Sequence, residues 1–275
     1  MTDIDAQAFD EFEAAGWELV ARRYSELLSP ITSQAVEPLL DAAGVRAGMR
    51  VLDVGTGPGD AAAAAVARGA DATGIDVAAA MIELASERHP EATFLQGSAT
   101  ELPFADGSFD AAVGNVVILH VGEPERAAHE LARVLVRGAP VALSTWEVPA
   151  RSPLFGALVG AVEDAEVSPP SDVPHGPSFF RFGEDDVFDA LLRGAGFADV
   201  SVESVTFDFP LGSADELMTV VSDATVRMGA LLRSGDDSQR ARMRDNLERR
   251  IAPWRRGDAY AVPAPMKIAS GIKPG

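Results

Sequence analysis

Three glycines at alternate positions follow a short apolar run, and this spacing suits a ligand-binding turn. Residues 51–54 (VLDV) predict a buried strand, and Gly55, Gly57 and Gly59 follow it directly. Glycine permits a left-handed backbone and the close approach of a ligand, and Pro58 stands where a helix would begin. The pattern therefore predicts a strand, a turn and a helix, with the turn close to a ligand at the sheet edge.

An acidic residue, Asp76, ends the next apolar stretch about 20 residues beyond this turn. A carboxylate there can accept hydrogen bonds from both hydroxyls of a ribose, so turn and acid together indicate a nucleoside cofactor. The alternative is that the glycines serve only the packing of helix against strand. NAD is disfavoured, because its G-x-G-x-x-G pattern needs glycine where the chain has Asp60, whose charge would repel a pyrophosphate. A cofactor that carries an ammonium and a sulfonium group meets no such conflict.

Two further side chains are candidates for acid–base chemistry. His120 follows the apolar run VVIL beyond Asn115, at the expected carboxyl end of a sheet, so it is either a substrate base or positioning group or a structural histidine. Glu147 ends a predicted strand and is a candidate proton acceptor or cavity wall. His175 is either a substrate contact or a surface residue. We expect no metal, since the acidic pair at 236–237 lacks the spaced oxygen ligands of a calcium or magnesium site.

Short apolar strands alternate with helices along the part of the chain that carries these residues. The predicted strands are 49–54, 72–76, 92–97, 109–115, 140–147, 199–209 and the extended tail, and the predicted helices between them are 58–68, 78–88, 123–136 and 184–195. Strands that alternate with helices in this way predict βαβ units and a parallel sheet.

The remaining segments predict helical additions around this core. The predicted regions are an N-terminal helical lid at 1–48, a core at 49–147, a cap insertion at 148–182 and a C-terminal part at 183–275. The lid holds predicted helices at 4–28 and 33–43, and the cap insertion holds one at 153–165. The C-terminal part includes a second cap element, about 211–258, with predicted helices at 213–232 and 236–251. Aromatic residues concentrate in these additions, and we expect some of them to wall an apolar substrate chamber. The basic run at 248–256 (ERRIAPWRR) is either a solvated helix end or a site for a substrate carboxylate.

Composition excludes several classes of function. The 275 residues include 23 basic and 42 acidic side chains, a net charge of −19, so nucleic acids and anionic membranes are not expected partners. The chain has no cysteine, which excludes thiol chemistry and zinc–thiolate sites. The N-terminal residues lack the charged and apolar regions of a signal peptide, so we expect a cytoplasmic protein, and the sequence leaves a homodimer open.

Five blocks in order resemble the class I S-adenosylmethionine-dependent methyltransferases, especially the bacterial small-molecule branch related to the quinone-biosynthesis C-methyltransferases. They are VLDVGTGPGD, GIDVAAAMIELA, FLQGSATELPFADGSFDAAVGN, HELARVLVRG and GPSFFRFGEDDVFDALLRGAGFADV. The resemblance implies an α/β, Rossmann-like, doubly wound and mostly parallel seven-stranded sheet with helices on both faces and helical cap insertions. It also implies S-adenosyl-L-methionine as cofactor and S-adenosyl-L-homocysteine as product.

The resemblance assigns roles to individual residues. Asp53, Gly55 and Gly57 would form the loop under the methionine part and the ribose, and Asp76 would bind the ribose hydroxyls. Val77 and Met81 would pack on the adenine, and Ser98 and Ala99 would border its edge. The Asn115 carbonyl would face the ammonium group, and Tyr24 would close over the cofactor. Many relatives have aspartate where this chain has Ser98, so the contact to the adenine amino group passes to a hydroxyl.

The expected reaction is methyl transfer to an O, N or C atom of a small, partly hydrophobic molecule. Alternatives are a non-methylating reaction on the same fold, such as cyclisation, and a non-catalytic cofactor-binding protein.

Overall fold

The computed structural model describes residues 5–275 and has a central sheet flanked by helices. The strands are β1 (Arg50–Val54), β2 (Asp71–Asp76), β3 (Thr93–Gln96), β4 (Ala111–Gly114), β5 (Pro140–Trp146), β6 (Ala198–Leu211), β7 (Arg255–Arg256) and β8 (Ala259–Ile272). The helices are α1 (Ala6–Leu27), α2 (Ser29–Thr32), α3 (Val36–Ala42), α4 (Asp60–Ala67), α5 (Ala79–Arg88), α6 (Pro124–Val134), α7 (Pro153–Asp164), α8 (Asp185–Gly194), α9 (Ala214–Ala224), α10 (Arg227–Ser234) and α11 (Asp237–Ile251).

The strand order is β3-β2-β1-β4-β5-β8-β6, with β1 to β5 parallel and β8 antiparallel to both its neighbours. This confirms the predicted doubly wound, mostly parallel sheet. The two-residue β7, which pairs with β8, is an additional strand that the sequence pattern did not indicate. The order reverses between β1 and β4, and sheets of this kind bind ligands at such a reversal.

Alternate residues of the central strands enter two separate cores, one on each face of the sheet. Val51 packs on one face with Leu39 and Leu40 of α3, and the adjacent Leu52 packs on the other with Leu131 of α6 and Phe188 of α8. Because both faces are covered, these strands are nearly continuous in apolar residues.

The prediction of one continuous cap helix at 213–232 is wrong, since this segment forms two helices, α9 and α10. Thr225 between them is extended (φ −132°, ψ 153°). Its hydroxyl donates to the Val221 carbonyl (2.7 Å) and accepts from the Gly229 amide (2.9 Å), so it satisfies backbone groups of both helices.

The N-terminal segment is also more broken than its periodicity predicts. The stretch predicted as one helix at 33–43 begins as a short 3₁₀ turn at Ser33–Ala35 before α3. Residue 4, the predicted start of the first helix, and the first four residues of the predicted lid lie outside the described residues. Among residues 5–275, no helix combines the length and the apolar character that crossing a bilayer requires.

Candidate active site

A cavity lies at the carboxyl ends of β1, β2 and β4, beneath α1 and the start of α10. This is the point at which the strand order reverses. The volume of the cavity is about 1320 Å³, including the space that is open to solvent. Every predicted cofactor residue lies on its wall: Tyr24, Asp53, Gly55, Gly57, Asp76, Val77, Met81, Ser98, Ala99 and Asn115. The structure therefore brings together residues that lie up to 91 positions apart in the chain (24 to 115).

The glycine turn forms the floor of the cavity with a left-handed backbone. Gly55, Gly57 and Gly59 have φ values of 63°, 52° and 89°, which side-chain-bearing residues rarely adopt. A Cβ atom at Gly55 would lie 2.2 Å from Cγ2 of Val117, so the turn lacks room for any larger residue there.

Asp76 connects the turn to the next helix. One carboxylate oxygen accepts from the Gly57 amide (2.9 Å) and the other from the Ala78 amide (3.0 Å). Burial raises the pKa of Asp76, and these backbone hydrogen bonds oppose the rise. The carboxylate is thus fixed at the end of β2 with an edge on the cavity.

Asp53 has a carboxylate oxygen without a partner. It is 1% exposed, and its Oδ2 accepts from the Thr56 hydroxyl (2.6 Å) and the Ala62 amide (3.0 Å). Among the described residues, nothing hydrogen-bonds to the buried Oδ1. Burial raises the pKa of Asp53 to about 7. An unpartnered buried acceptor beside a cradle of glycines fits a cofactor that carries a positive charge.

A chain of hydrogen bonds ties the N-terminal segment to the end of β4. The Asn115 side chain donates to the Thr32 carbonyl (3.0 Å) and accepts from the Ser144 hydroxyl (2.6 Å), and that hydroxyl accepts from the Val116 amide (2.9 Å). Val116 has a φ of 60°, a strained value for a β-branched residue that these contacts maintain. The Tyr24 and Thr32 hydroxyls lie 3.0 Å apart, and burial raises the pKa of Tyr24 to about 12.

Apolar side chains beyond β2 and on α5 also line the cavity. Met81 is buried and Val77 is 40% exposed into it, while Ser98 and Ala99 border them. The Ser98 hydroxyl lies 2.9 Å from that of Thr100 and accepts from the Thr100 amide (3.2 Å).

His120 lies on the cavity wall and is paired with a residue that the sequence analysis missed. Its Nδ1 is 2.9 Å from Oε2 of Glu13, a carboxylate that also accepts from Nε1 of Trp17 (3.0 Å) and lies 2.9 Å from Nε of Arg227. Burial lowers the pKa of His120, although Glu13 opposes this. Glu13 lies four residues from both Phe9 and Trp17 on the apolar face of α1, and an acid in that position was a usable signal.

Trp17, Trp146 and Phe179 form aromatic walls of the same cavity as His120. The ring centroids of Trp17 and Phe179 lie 4.9 and 6.0 Å from that of His120. His175, the possible substrate contact, is exposed and does not line the cavity. The arginines of the basic run at 248–256 do not line it either, and Arg250 pairs with Asp164 (2.9 Å).

The structure contradicts the prediction that Glu147 lines the cavity. This carboxylate does not line the cavity but lies among cations behind it, 2.8 Å from Arg151 and 3.2 Å from the buried Lys267. The antiparallel pairing of β5 with β8 places Lys267 beside it. Its charge is neutralised by these partners, so Glu147 is a structural ion-pair residue. Within the described part of the chain, no group of His, Asp or Glu side chains is arranged to hold a metal ion.

Comparison with known proteins agrees with this geometry. A methyltransferase-domain family model matches residues 52–143. The demethylmenaquinone methyltransferase of Beutenbergia cavernae is 32% identical over 212 residues, which are 72% of this chain and 88% of that protein. The structure of the Bacillus subtilis YcgJ protein superposes with a TM-score of 0.57 at 20% identity, covering 88% of this chain and 99% of that one.

A second fold neighbour was solved with the demethylated cofactor. Phosphoethanolamine N-methyltransferase 2 of Haemonchus contortus, in complex with S-adenosylhomocysteine, has a TM-score of 0.54 at 18% identity and covers 88% of this chain and 53% of that one. The identity and coverage of the Beutenbergia relative decide the family: the chain belongs to the class I S-adenosylmethionine-dependent methyltransferases of the quinone-biosynthesis type, and S-adenosylmethionine is its cofactor.

Proposed function

We propose that the protein methylates a ring carbon of a small, partly hydrophobic acceptor that carries an ionisable hydroxyl group. The pairing of His120 with the buried Glu13 on the cavity wall is the observation that carries this proposal. The name of the Beutenbergia relative, demethylmenaquinone methyltransferase, supports a quinone-type acceptor.

His120 is the base in this proposal. Its hydrogen bond to Glu13 assigns the N–H to Nδ1 and leaves the lone pair on Nε2, and within residues 5–275 nothing bonds to Nε2. Because burial lowers the pKa of His120, its ring is neutral near pH 7 and ready to accept the hydroxyl proton. Glu13 then stabilises the imidazolium that forms.

Removal of that proton makes the ring carbons next to the oxygen electron-rich, as in-line attack on a methyl group requires. The attack forms the new C–C bond and breaks the bond between the methyl group and sulfur. The methylated ring carbon then releases its hydrogen to solvent as a proton, and the ring oxygen regains a proton from the His120 imidazolium, which restores the aromatic ring and the neutral base. When bound, S-adenosylmethionine supplies an electrophilic methyl group on a sulfonium sulfur and departs as S-adenosylhomocysteine. Trp17, Trp146 and Phe179 hold the flat acceptor and exclude water from the ring carbon.

The residues of the sheet edge would hold the cofactor. Asp76 would bind the ribose hydroxyls, the free Oδ1 of Asp53 and the Asn115 carbonyl would face the ammonium, and Val77 with Met81 would pack on the adenine. The Tyr24 ring would close over the cofactor from the lid. The aromatic walls beside His120 then bound the space for the acceptor.

Incubation with S-adenosylmethionine and hydroxynaphthalenes, against the matched naphthalenes without the hydroxyl, tests the proposal. We expect products heavier by one methyl only from the hydroxylated set, with fragmentation that places the methyl on carbon. His120→Asn should lower kcat by a factor of about 100 or more. It should still bind S-adenosylhomocysteine, and His129→Asn on the exposed face of α6 is the matched control with unchanged rates.

The other outcomes contradict the proposal in different ways. Methylation on oxygen overturns the carbon assignment, and full activity of His120→Asn overturns the base. Conversion without a mass change indicates a rearrangement such as cyclisation. Cofactor binding without conversion of any acceptor indicates a non-catalytic protein.

A further inference from the structure

We propose that Glu13 and Arg227 are positioning residues that act through His120. The inference deepens the proposed function and rests on it, because the orientation of His120 matters for methyl transfer only if His120 is the base.

Glu13 is the centre of the arrangement. It is 2% exposed, and a carboxylate buried to that degree is costly unless charges and donors satisfy it. The His120 ring and the Trp17 indole hydrogen-bond to its Oε2, and Nε of Arg227 lies 2.9 Å from Oε1 as an ion-pair partner without hydrogen-bond geometry. The Trp17 contact fixes the oxygen that faces His120, so the carboxylate can hold the imidazole in one tautomer and one orientation.

Arg227 connects four separate segments through one side chain. It begins α10, and its guanidinium reaches Glu13 of α1, donates to the Pro177 carbonyl (2.9 Å) of the cap insertion, and donates to the Leu119 carbonyl next to His120. The side chain is 14% exposed.

Aromatic rings hold this guanidinium in place. It lies over the rings of Phe9 and Phe179, 5.0 and 5.1 Å from their centroids. If α10 moves away from α1, Glu13 loses its cation and the Leu119 carbonyl loses a donor. The arrangement around His120 therefore depends on the contact that Arg227 makes between α10 and α1.

The charges around the imidazole give Glu13 and Arg227 opposite effects. Glu13 favours the imidazolium and Arg227 disfavours it, while burial disfavours it most. Asp10, the other acid of α1 on the same wall, accepts from the Gly122 amide (2.6 Å). Removing Glu13 should lower the protonation midpoint of His120, and removing the charge of Arg227 should raise it. A purely structural role of the two residues predicts no such opposite shifts.

Nitrogen-15 spectra of the 275-residue chain, labelled at histidine and saturated with S-adenosylhomocysteine, test the inference without an acceptor. We expect His120 as the Nδ1–H tautomer in the natural protein, assigned by loss of its signals in His120→Asn. Glu13→Gln keeps an acceptor oxygen but removes the charge, so it should weaken the tautomer preference and lower the midpoint by about one pH unit, and Arg227→Met should raise the midpoint by a similar amount. Arg227→Lys, which keeps the charge, should restore most of the natural value. Arg250→Met, which removes an exposed arginine paired with Asp164, is the matched control.

Unchanged tautomer and midpoint in both folded Glu13→Gln and folded Arg227→Met would overturn the inference, as would shifts of the same sign. Circular dichroism establishes folding, and each variant is informative alone because the predicted directions differ. Normal spectra in a protein that methylates no acceptor would overturn the proposed function instead.

Discussion

Replacement of Asp53 by asparagine changes the pH dependence of folding in a direction that the structure determines. The carboxylate is buried, and its pKa rises from 3.8 to about 7 in the folded protein. An acid with a raised pKa binds more protons folded than unfolded, so the free energy of unfolding falls as pH rises from about 4 to about 7. Asparagine keeps an oxygen for the Thr56 hydroxyl and the Ala62 amide but does not ionise.

The size of the effect follows from the two pKa values. Between about pH 5 and about pH 8, ionisation of Asp53 should cost the natural protein about 2 to 3 kcal/mol of unfolding free energy. Urea unfolding of both ligand-free proteins at the two pH values measures the difference, and the other acidic residues are common to both. Equal losses in the two proteins would refute the buried, ionisable carboxylate.

The same ionisation should appear in cofactor binding. An ammonium group beside Oδ1 favours the carboxylate, so the affinity of the natural protein for S-adenosylhomocysteine should increase as pH rises from about 6 to about 8. The Asp53→Asn variant should bind more weakly and lack this part of the pH dependence. Parallel profiles would refute the contact.

Three other substitutions test individual positions. Gly55→Ala places a Cβ atom 2.2 Å from a Val117 methyl group at a φ of 63°. It should therefore lower the free energy of unfolding by about 1 to 3 kcal/mol and weaken S-adenosylhomocysteine binding. Thermal unfolding and calorimetry measure the two effects, and an unchanged melting temperature would contradict the prediction. Ser98→Asp should tighten binding severalfold by supplying a charged acceptor to the adenine amino group, and weaker binding would refute that contact. Glu147→Gln should destabilise the fold by about 1 to 3 kcal/mol through Lys267 and leave cofactor affinity unchanged, whereas a loss of affinity with full stability would contradict the structural assignment.

Local spacing predicted the glycine turn and Asp76, whereas the other predicted cofactor residues, such as Tyr24 and Asn115, followed from the resemblance to methyltransferases. The glycine turn and Asp76 lie within one βαβ unit, so the sheet geometry fixes their separation once the strands are recognised. The sheet itself could be predicted because β1, β2 and β4 are short apolar runs bounded by glycines and polar residues.

The acceptor side required tertiary contacts that spacing does not encode. Glu13 and Arg227 are 214 positions apart in the chain, and no periodicity relates them. Glu147 was misassigned for a similar reason, because the register of β5 with β8 places Lys267 beside it. Apolar periodicity likewise gave no sign that the Thr225 hydroxyl would divide the cap helix.

A calorimetric titration with S-adenosylhomocysteine measures directly whether the cavity at the sheet edge binds the cofactor. We expect saturable binding at one site, and a loss of most of that affinity in Asp76→Ala, because we propose that this cavity-lining carboxylate binds the ribose hydroxyls. Absence of binding at high micromolar ligand, in protein shown to be folded, would contradict the assignment of this cavity as the cofactor site. Retention of affinity within about threefold in Asp76→Ala, well under 1 kcal/mol, would contradict the ribose assignment.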